Sequence, residues 1–321
     1  MASAYARRMT SNDSTRPPIA LSTMWAMQPR FEHDIHAFME RARDLGYEAV
    51  EINHSMDAQM ARTIIDGHVL PVASIHAPAP LEQHPTRGWN RDLNLAGTDE
   101  AERALAVQYT QRSIDLAVEA GAPAVVVHLG HVGTGQLEEE RQLKALWPER
   151  DARRDEYAHL LDATVSARAA LAPPHIEAAR RSLAELAAYA APRGVALGIE
   201  SRLLYHEFPL PHELAPLLAE YDASVVGYWH DVGHCVVHDR LGLTDIDAWF
   251  ELLGERLIGA HLHDVRELID HRAPGNGSVD FAWLASRLPA HAARTLEIDQ
   301  HEPDADLTTA IEVLRSAGVV A

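Results

Sequence analysis

Val225-Val226-Gly227-Tyr228-Trp229-His230-Asp231-Val232-Gly233-His234 carries the reading of the fold. A short, apolar, partly β-branched run ends on a carboxylate, and a segment of helical period follows. The same grammar repeats through the chain. Apolar runs occupy 19–24, 49–52, 70–75, 124–127, 195–199, 225–230, 257–260 and 294–296. Most are followed by a stretch with apolar residues at helical spacing, such as Phe31, Ile35, Phe38, Met39, Ala42 and Leu45. Alternating strand and helix imply a parallel sheet, and eight such units imply a (β/α)8 TIM barrel. An open doubly wound sheet is the competing arrangement, but no glycine-rich turn follows the first strand. The expected organisation is a tail over 1–18 and one barrel domain over 19–321. A charged, Ala-rich helical insertion is expected over 136–172, with Pro173 and Pro174 opening the next helix.

Composition narrows the chemistry. The 321 residues hold 28 Lys plus Arg, 47 Asp plus Glu and 20 His, for a net charge of −19. Such a balance argues against nucleic acid and anionic membranes as partners, because phosphate backbones demand clustered positive charge. The lone Cys235 excludes a disulfide framework and a four-cysteine zinc site. No apolar run reaches membrane-spanning length, and 1–18 lacks the apolar stretch of a signal peptide, so the default location is the cytoplasm. The acidic run Glu138, Glu139, Glu140 reads as a solvated helix face.

In a barrel of this kind the active site lies at the C-terminal strand ends. The third to eighth runs end in His76, His128, Glu200, Asp231, His261 and Glu297, with His234 and His271 just beyond. Any one of these could be an ordinary hydrogen-bonded residue. Eight around one mouth are hard to explain as packing, since buried carboxylates without partners are costly. Imidazoles and carboxylates converging on one point hold divalent transition metals, here Mn, Co, Zn or Fe. By strand alternation His230 turns toward the helices. His131 lies near the same mouth, and His263, two residues past His261, reads as a loop or supporting residue. Asp264 either orients a ligand imidazole or caps a helix. Arg202 and Arg266 are candidate holders of a substrate carboxylate or phosphate, and Trp25 a candidate pocket wall.

At these residues the chain resembles the xylose isomerase-like TIM barrel superfamily, which contains sugar isomerases and epimerases, related dehydratases and apurinic/apyrimidinic endonucleases. The carrying motifs are Ser74-Ile75-His76-Ala77-Pro78, Val126-Val127-His128-Leu129-Gly130, Ile199-Glu200-Ser201, Asp231-Val232-Gly233-His234 and His261-Leu262-His263-Asp264. His271 four residues before Gly275, and Leu296-Glu297, complete the set. The resemblance implies a metal core of Glu200, Asp231, His261 and Glu297. The wider set of the superfamily's trinuclear hydrolases adds His76, His128, His234, His271 and an aspartate where Ile269 stands, with Asp270 adjacent.

The leading expectation is therefore metal-dependent isomerisation or epimerisation of a sugar or similar polyhydroxy carbonyl compound. Glu200 and Glu297 would move the proton and His234 would bind a substrate oxygen. A dehydratase would begin with the same proton abstraction. A phosphodiester hydrolase is the alternative, weakened by Ile269 and by the net charge. A metal-stabilised binding barrel would leave the two glutamates without a proton to move. Schiff-base chemistry is excluded, because the sole lysine, Lys144, lies in the insertion. The expected partner is a small molecule. Self-association into a homo-oligomer stays open, and the insertion is either a lid or a subunit contact.

Overall fold

The computed structural model describes residues 16–321. Of the expected tail, residues 1–15 lie outside the described residues, while Arg16 pairs with Glu48 at 2.6 and 2.8 Å. Eight parallel strands close a barrel: β1 (Ile19–Ser22), β2 (Ala49–Ile52), β3 (Val72–His76), β4 (Ala124–Val127), β5 (Ala196–Glu200), β6 (Val226–Asp231), β7 (Leu257–Leu262) and β8 (Ala293–Leu296). Closure is made by β1, which pairs with β2 at Ala20↔Ala49 and with β8 at Leu21↔Leu296. The strands are covered on both faces, which is why they read as continuous apolar runs rather than alternating ones.

Around the barrel lie α1 (Ile35–Asp44), α2 (Ala58–Gly67), α3 (Glu100–Ala120), α4 (Glu138–Leu146), α5 (Arg154–Ala190), α6 (Pro211–Leu218), α7 (Val232–Leu241), α8 (Ile246–Leu253), α9 (Phe281–Ala285) and α10 (Asp304–Ser316). Aspartates cap many of them. Asp34, Asp57 and Asp280 each accept a backbone N–H three residues on, at 2.8–3.1 Å. Among the described residues no helix is long and apolar enough to cross a membrane.

The expected break at Pro173 does not occur. A single helix of 37 residues, α5, runs through both prolines and spans about 55 Å at 1.5 Å per residue. Each proline removes one backbone hydrogen bond, yet tertiary bonds within about a turn and a half on either side keep the axis continuous. Upstream, Arg168 is bidentate to Glu213 at 2.6 and 2.8 Å and donates to the Tyr205 carbonyl at 2.6 Å. Downstream, His175 Nδ1 lies 2.7 Å from the Ala96 carbonyl. The acidic run is not a uniform solvated face either. Glu140 is fully buried, accepts the Tyr205 N–H at 3.0 Å and pairs with Lys144 at 3.1 Å.

Inside the barrel, alternation brings Glu51, Ser74, His76, Gly198, Glu200, Trp229, Asp231, Gly259, His261, Thr295 and Glu297 onto the inner face. The Trp229 indole floors the upper part. A Cβ on Gly259 would lie 2.2 Å from it and one on Gly198 2.8 Å, so these glycines make room for the ring. Its ring stands 5.5 Å from His261. The polar layer above Trp229 is the candidate site.

Candidate metal centre

The innermost cluster gathers Glu200 from β5, Asp231 from β6, His261 from β7 and Glu297 just past β8. His261 Nδ1 is 2.7 Å from Glu200, 3.1 Å from Glu297 and 3.6 Å from Asp231. Its other nitrogen, Nε2, faces Glu51 at 3.1 Å, and Ser74 donates to Glu51 at 2.6 Å. With Nε2–H donated to Glu51, Nδ1 is aimed at the three carboxylates, where a bound cation would take the place of its proton. A carboxylate behind a ligand imidazole fixes the tautomer and aim of metal-binding histidines.

A second corner joins His76, His128 and Glu200. Glu200 Oε2 lies 2.7 Å from His128 Nε2 and 3.5 Å from His76 Nε2, and the two imidazole nitrogens are 2.6 Å apart. The third corner is Asp231, His234 and His271. His234 Nδ1 bonds the Ser201 carbonyl at 2.9 Å, which turns Nε2 inward toward Asp270 at 3.6 Å. Asp270 also lies 3.0 Å from His271 Nδ1. His271 holds a left-handed backbone at φ +53°. Its N–H donates to His263 Nδ1 at 2.8 Å, and its carbonyl accepts from Asp299.

Although His263 belongs to this cluster by distance, its chemistry is that of a support. Nδ1 accepts the His271 N–H, so Nε2 carries the proton and donates to Asp231 at 2.9 Å. It stacks on His271 with ring centroids 4.3 Å apart.

Buried charges of opposite sign are packed against one another here. Burial alone would push the Glu200 carboxyl up, yet His128, His76 and Arg202 hold it well below the usual range. Asp231 and Glu297 behave alike, opposed by His234 and His263, and by His261 and His271. Burial would lower His76, but Glu200 and Glu297 raise it to about 9. Against the same burial, Glu297 and Glu51 raise His261, and Asp270 and Glu297 raise His271. Protonated imidazoles here balance buried carboxylates, the role a divalent ion takes when it binds and displaces protons. Around the site, His54 Nδ1 and His76 Nδ1 are buried without a hydrogen-bond partner, and Asp270 Oδ2 has the His271 imidazole as its neighbour at 3.0 Å. The donor set of imidazole and carboxylate therefore fits Mn, Co, Zn or Fe.

Several expected residues play other parts. Trp25 does not wall the pocket. It is fully buried against Phe31 and Phe38 and donates to the Glu302 carbonyl at 2.9 Å. Arg266 is exposed and bonds the Asn276 carbonyl at 2.9 and 3.1 Å, because its strand turns it outward. Arg202 is turned inward rather than left open for substrate: all three guanidinium nitrogens are engaged by Glu200, His128 and Glu207. Asp264 neither orients an imidazole nor caps a helix. It accepts four backbone N–H groups, from Val265, Gly275, Gly277 and Val279, at 2.8–3.0 Å, and so ties down the loop after β7. His131 lies beside Asn94 and His206, outside the clusters, and His230 packs outward against Phe250. Cys235 is buried beside Tyr228 and His230 and joins no cluster. Asp270, not Ile269, lies beside the histidines of the third corner, 3.6 Å from His234 and 3.0 Å from His271. The antiparallel hairpin of Asp264–Arg266 with Ile269–Arg272 leaves Ile269 59% exposed and turns Asp270 to the histidines.

Sequence reading missed Glu51, Ser74 as its partner, and His54, whose ring stands 5.0 Å from His76 and 5.6 Å from His128. Glu51 had a signal: a lone carboxylate inside the apolar run Ala49–Ile52, where burial demands a partner. A cavity of about 290 Å³ opens beside His128, His131 and Glu207.

A search of curated proteins finds no match. Among solved structures, the chain resembles a D-tagatose 3-epimerase-like protein (TM-score 0.66, 17% identity, 94% of this chain and 96% of that one). It also resembles an L-ribulose 3-epimerase (0.64, 17%, 94% and 95%) and a xylose isomerase domain protein from Planctomyces limnophilus (0.57, 17%, 95% and 97%). At such identities the likeness shows the fold. The family described as xylose isomerase-like TIM barrel matches residues 39–317, and with that span and this barrel the chain belongs to that family.

Proposed function

We propose that this protein is a metal-dependent isomerase or epimerase of a sugar or related polyhydroxy carbonyl compound. The observation that carries the reading is the convergence of Glu200, Asp231 and Glu297 on His261 Nδ1, within 2.7–3.6 Å. A divalent ion held by these four residues would supply Lewis-acid polarisation of neighbouring carbonyl and hydroxyl oxygens. Glu200 and Glu297 reach the same point from different sides of the barrel, so one can take a proton from a substrate carbon while the other returns it. His234, with Nδ1 tied to Ser201, presents Nε2 to a substrate oxygen. A cavity with room for a small molecule adjoins the second corner at His128, though Glu200, Asp231, His261 and Glu297 do not line it. Neighbours named as tagatose and ribulose 3-epimerases support a ketose as substrate. A dehydratase would share the first step.

The test is proton exchange in D2O across a panel of ketoses and inososes, followed by NMR. Glu297→Gln should fold and abolish exchange at the substrate carbon. Normal turnover by that variant would sink the two-glutamate mechanism.

One observation favours a second reading, a multinuclear phosphodiester hydrolase. The corners built on His76 and His128, and on His234, His271 and Asp270, would hold further ions. Hydrolysis of a simple phosphodiester with no ketose exchange would establish it.

A further inference from the structure

Arg202 sits where the second corner would close on a metal ion. Its Nη1 is 2.7 Å from Glu200 Oε2 and 2.6 Å from His128 Nε2, the two atoms that would share an ion there. We infer that the Arg202 guanidinium is a built-in cation that closes the His76–His128–Glu200 corner to metal, so that this chain carries one ion fewer than its imidazoles and carboxylates would hold. This rests on the metal-centre reading, and it limits the multinuclear alternative.

Three observations support it. A guanidinium is a permanent cation with no acceptor and cannot give up its proton to make way for a metal. An ion about 2.0–2.2 Å from both donors would need the one His128 Nε2 lone pair that Nη1 already uses, while lying against a fixed positive charge.

The guanidinium is also held from behind. Nε and Nη2 both donate to Glu207 Oε1, at 3.1 and 2.9 Å, and Glu207 Oε2 accepts the Leu204 N–H at 2.8 Å.

The loop that carries it is fastened from three helices. Arg168 of α5 donates to the Tyr205 and Glu207 carbonyls. Glu140 of α4 accepts the Tyr205 N–H. His238 of α7 lies 3.0 Å from the Leu203 carbonyl. The insertion, α4 with the first half of α5, thus clamps the segment that aims Arg202. Swinging the arginine out would break the Glu207 pair and leave that carboxylate without its cation.

The experiment counts ions. Wild type, Arg202→Gln, His128→Ala and the double variant are saturated with Zn, desalted and measured by inductively coupled plasma mass spectrometry, with folding checked by circular dichroism. Arg202→Gln should hold one ion more per chain than wild type. The extra ion should vanish in the double variant, and His128→Ala alone should keep the wild-type count. Equal counts in wild type and Arg202→Gln overturn the assignment. Should Arg202→Gln fail to fold, His128→Ala decides: loss of an ion from that variant means the corner is loaded with the arginine in place, and the assignment is wrong. A wild type that takes no ion overturns the metal-centre reading along with it, whereas equal counts overturn the role of Arg202 alone.

Discussion

Replacing Glu51 by Gln tests how the centre is aimed without touching the three inner carboxylates. Glu51 is fully buried on β2, receives the Ser74 hydroxyl at 2.6 Å and faces His261 Nε2 at 3.1 Å. The amide keeps the volume, so no cavity forms. It offers one carbonyl oxygen where the carboxylate offered two, and its NH2 group must face either Ser74 or His261. His261 then loses the bias toward Nε2–H, and the tautomer with Nδ1 protonated, which cannot bind a cation, becomes populated. Loss of such a supporting carboxylate typically weakens metal binding about 10–100-fold, which is about 1.4–2.8 kcal/mol at 1.4 kcal/mol per decade. Fold stability should change less. The lost charge-assisted bonds, about 1.5–3 kcal/mol each, are offset by no longer burying a carboxylate. Zn or Co affinity is measured by competition with a chromophoric chelator at neutral pH, wild type against Glu51→Gln, with Ser74→Ala expected to shift it the same way by less. Unchanged affinity would refute the orienting role. Complete loss of the ion would show that Glu51 is itself a ligand.

Stripped of metal, the protein should lose thermal stability as pH rises from about 6.5, the ordinary His value, toward 9. His76, His261 and His271 have raised folded values, so their contribution is full below the unfolded value and is lost as pH climbs through the folded ones, about 9 for His76. His128 and His230, pushed down to about 4 and 3 by burial, stay neutral in the folded state over this window, and their unfolded forms are mostly deprotonated above about pH 7.5, so they do not mask the loss at its upper end. A melting temperature of the chelator-treated protein that stays level or rises over the window would contradict the assignment, and loading with metal should flatten the profile. Arg168→Met should cost about 3–5 kcal/mol in urea unfolding, because it strands the buried Glu213 carboxylate. Arg168→Met with Glu213→Leu should recover much of that loss, and failure to recover would mean that the bonds to the Tyr205 and Glu207 carbonyls matter more.

The barrel was legible because its evidence is local. Each strand is a short apolar run, and each run from the third onward ends on the polar residue that the barrel geometry then carries to the mouth. Residues at strand ends such as Glu200, Asp231 and His261 needed only their position in the run. Glu51 lies inside its run, and its partners, Ser74 and His261, come from β3 and β7, so only barrel closure shows why a carboxylate is tolerated there. Asp270 and Ile269 are neighbours of opposite fate, and the pairing Arg266↔Ile269 in the hairpin decides which one faces the histidines.

The sequence by itself determined the order of strands and helices and the strand-end residues, His76 to Glu297, that the barrel gathers at its mouth. Periodicity and residue type are properties of neighbours along the chain. Only the tertiary structure decided that α5 continues through Pro173 and Pro174, that Trp25 and Arg266 serve the scaffold, and that Arg202 turns inward onto Glu200 and His128. Each of these outcomes is set by a partner many residues away along the chain, and a buried charge goes where folding places its counter-charge.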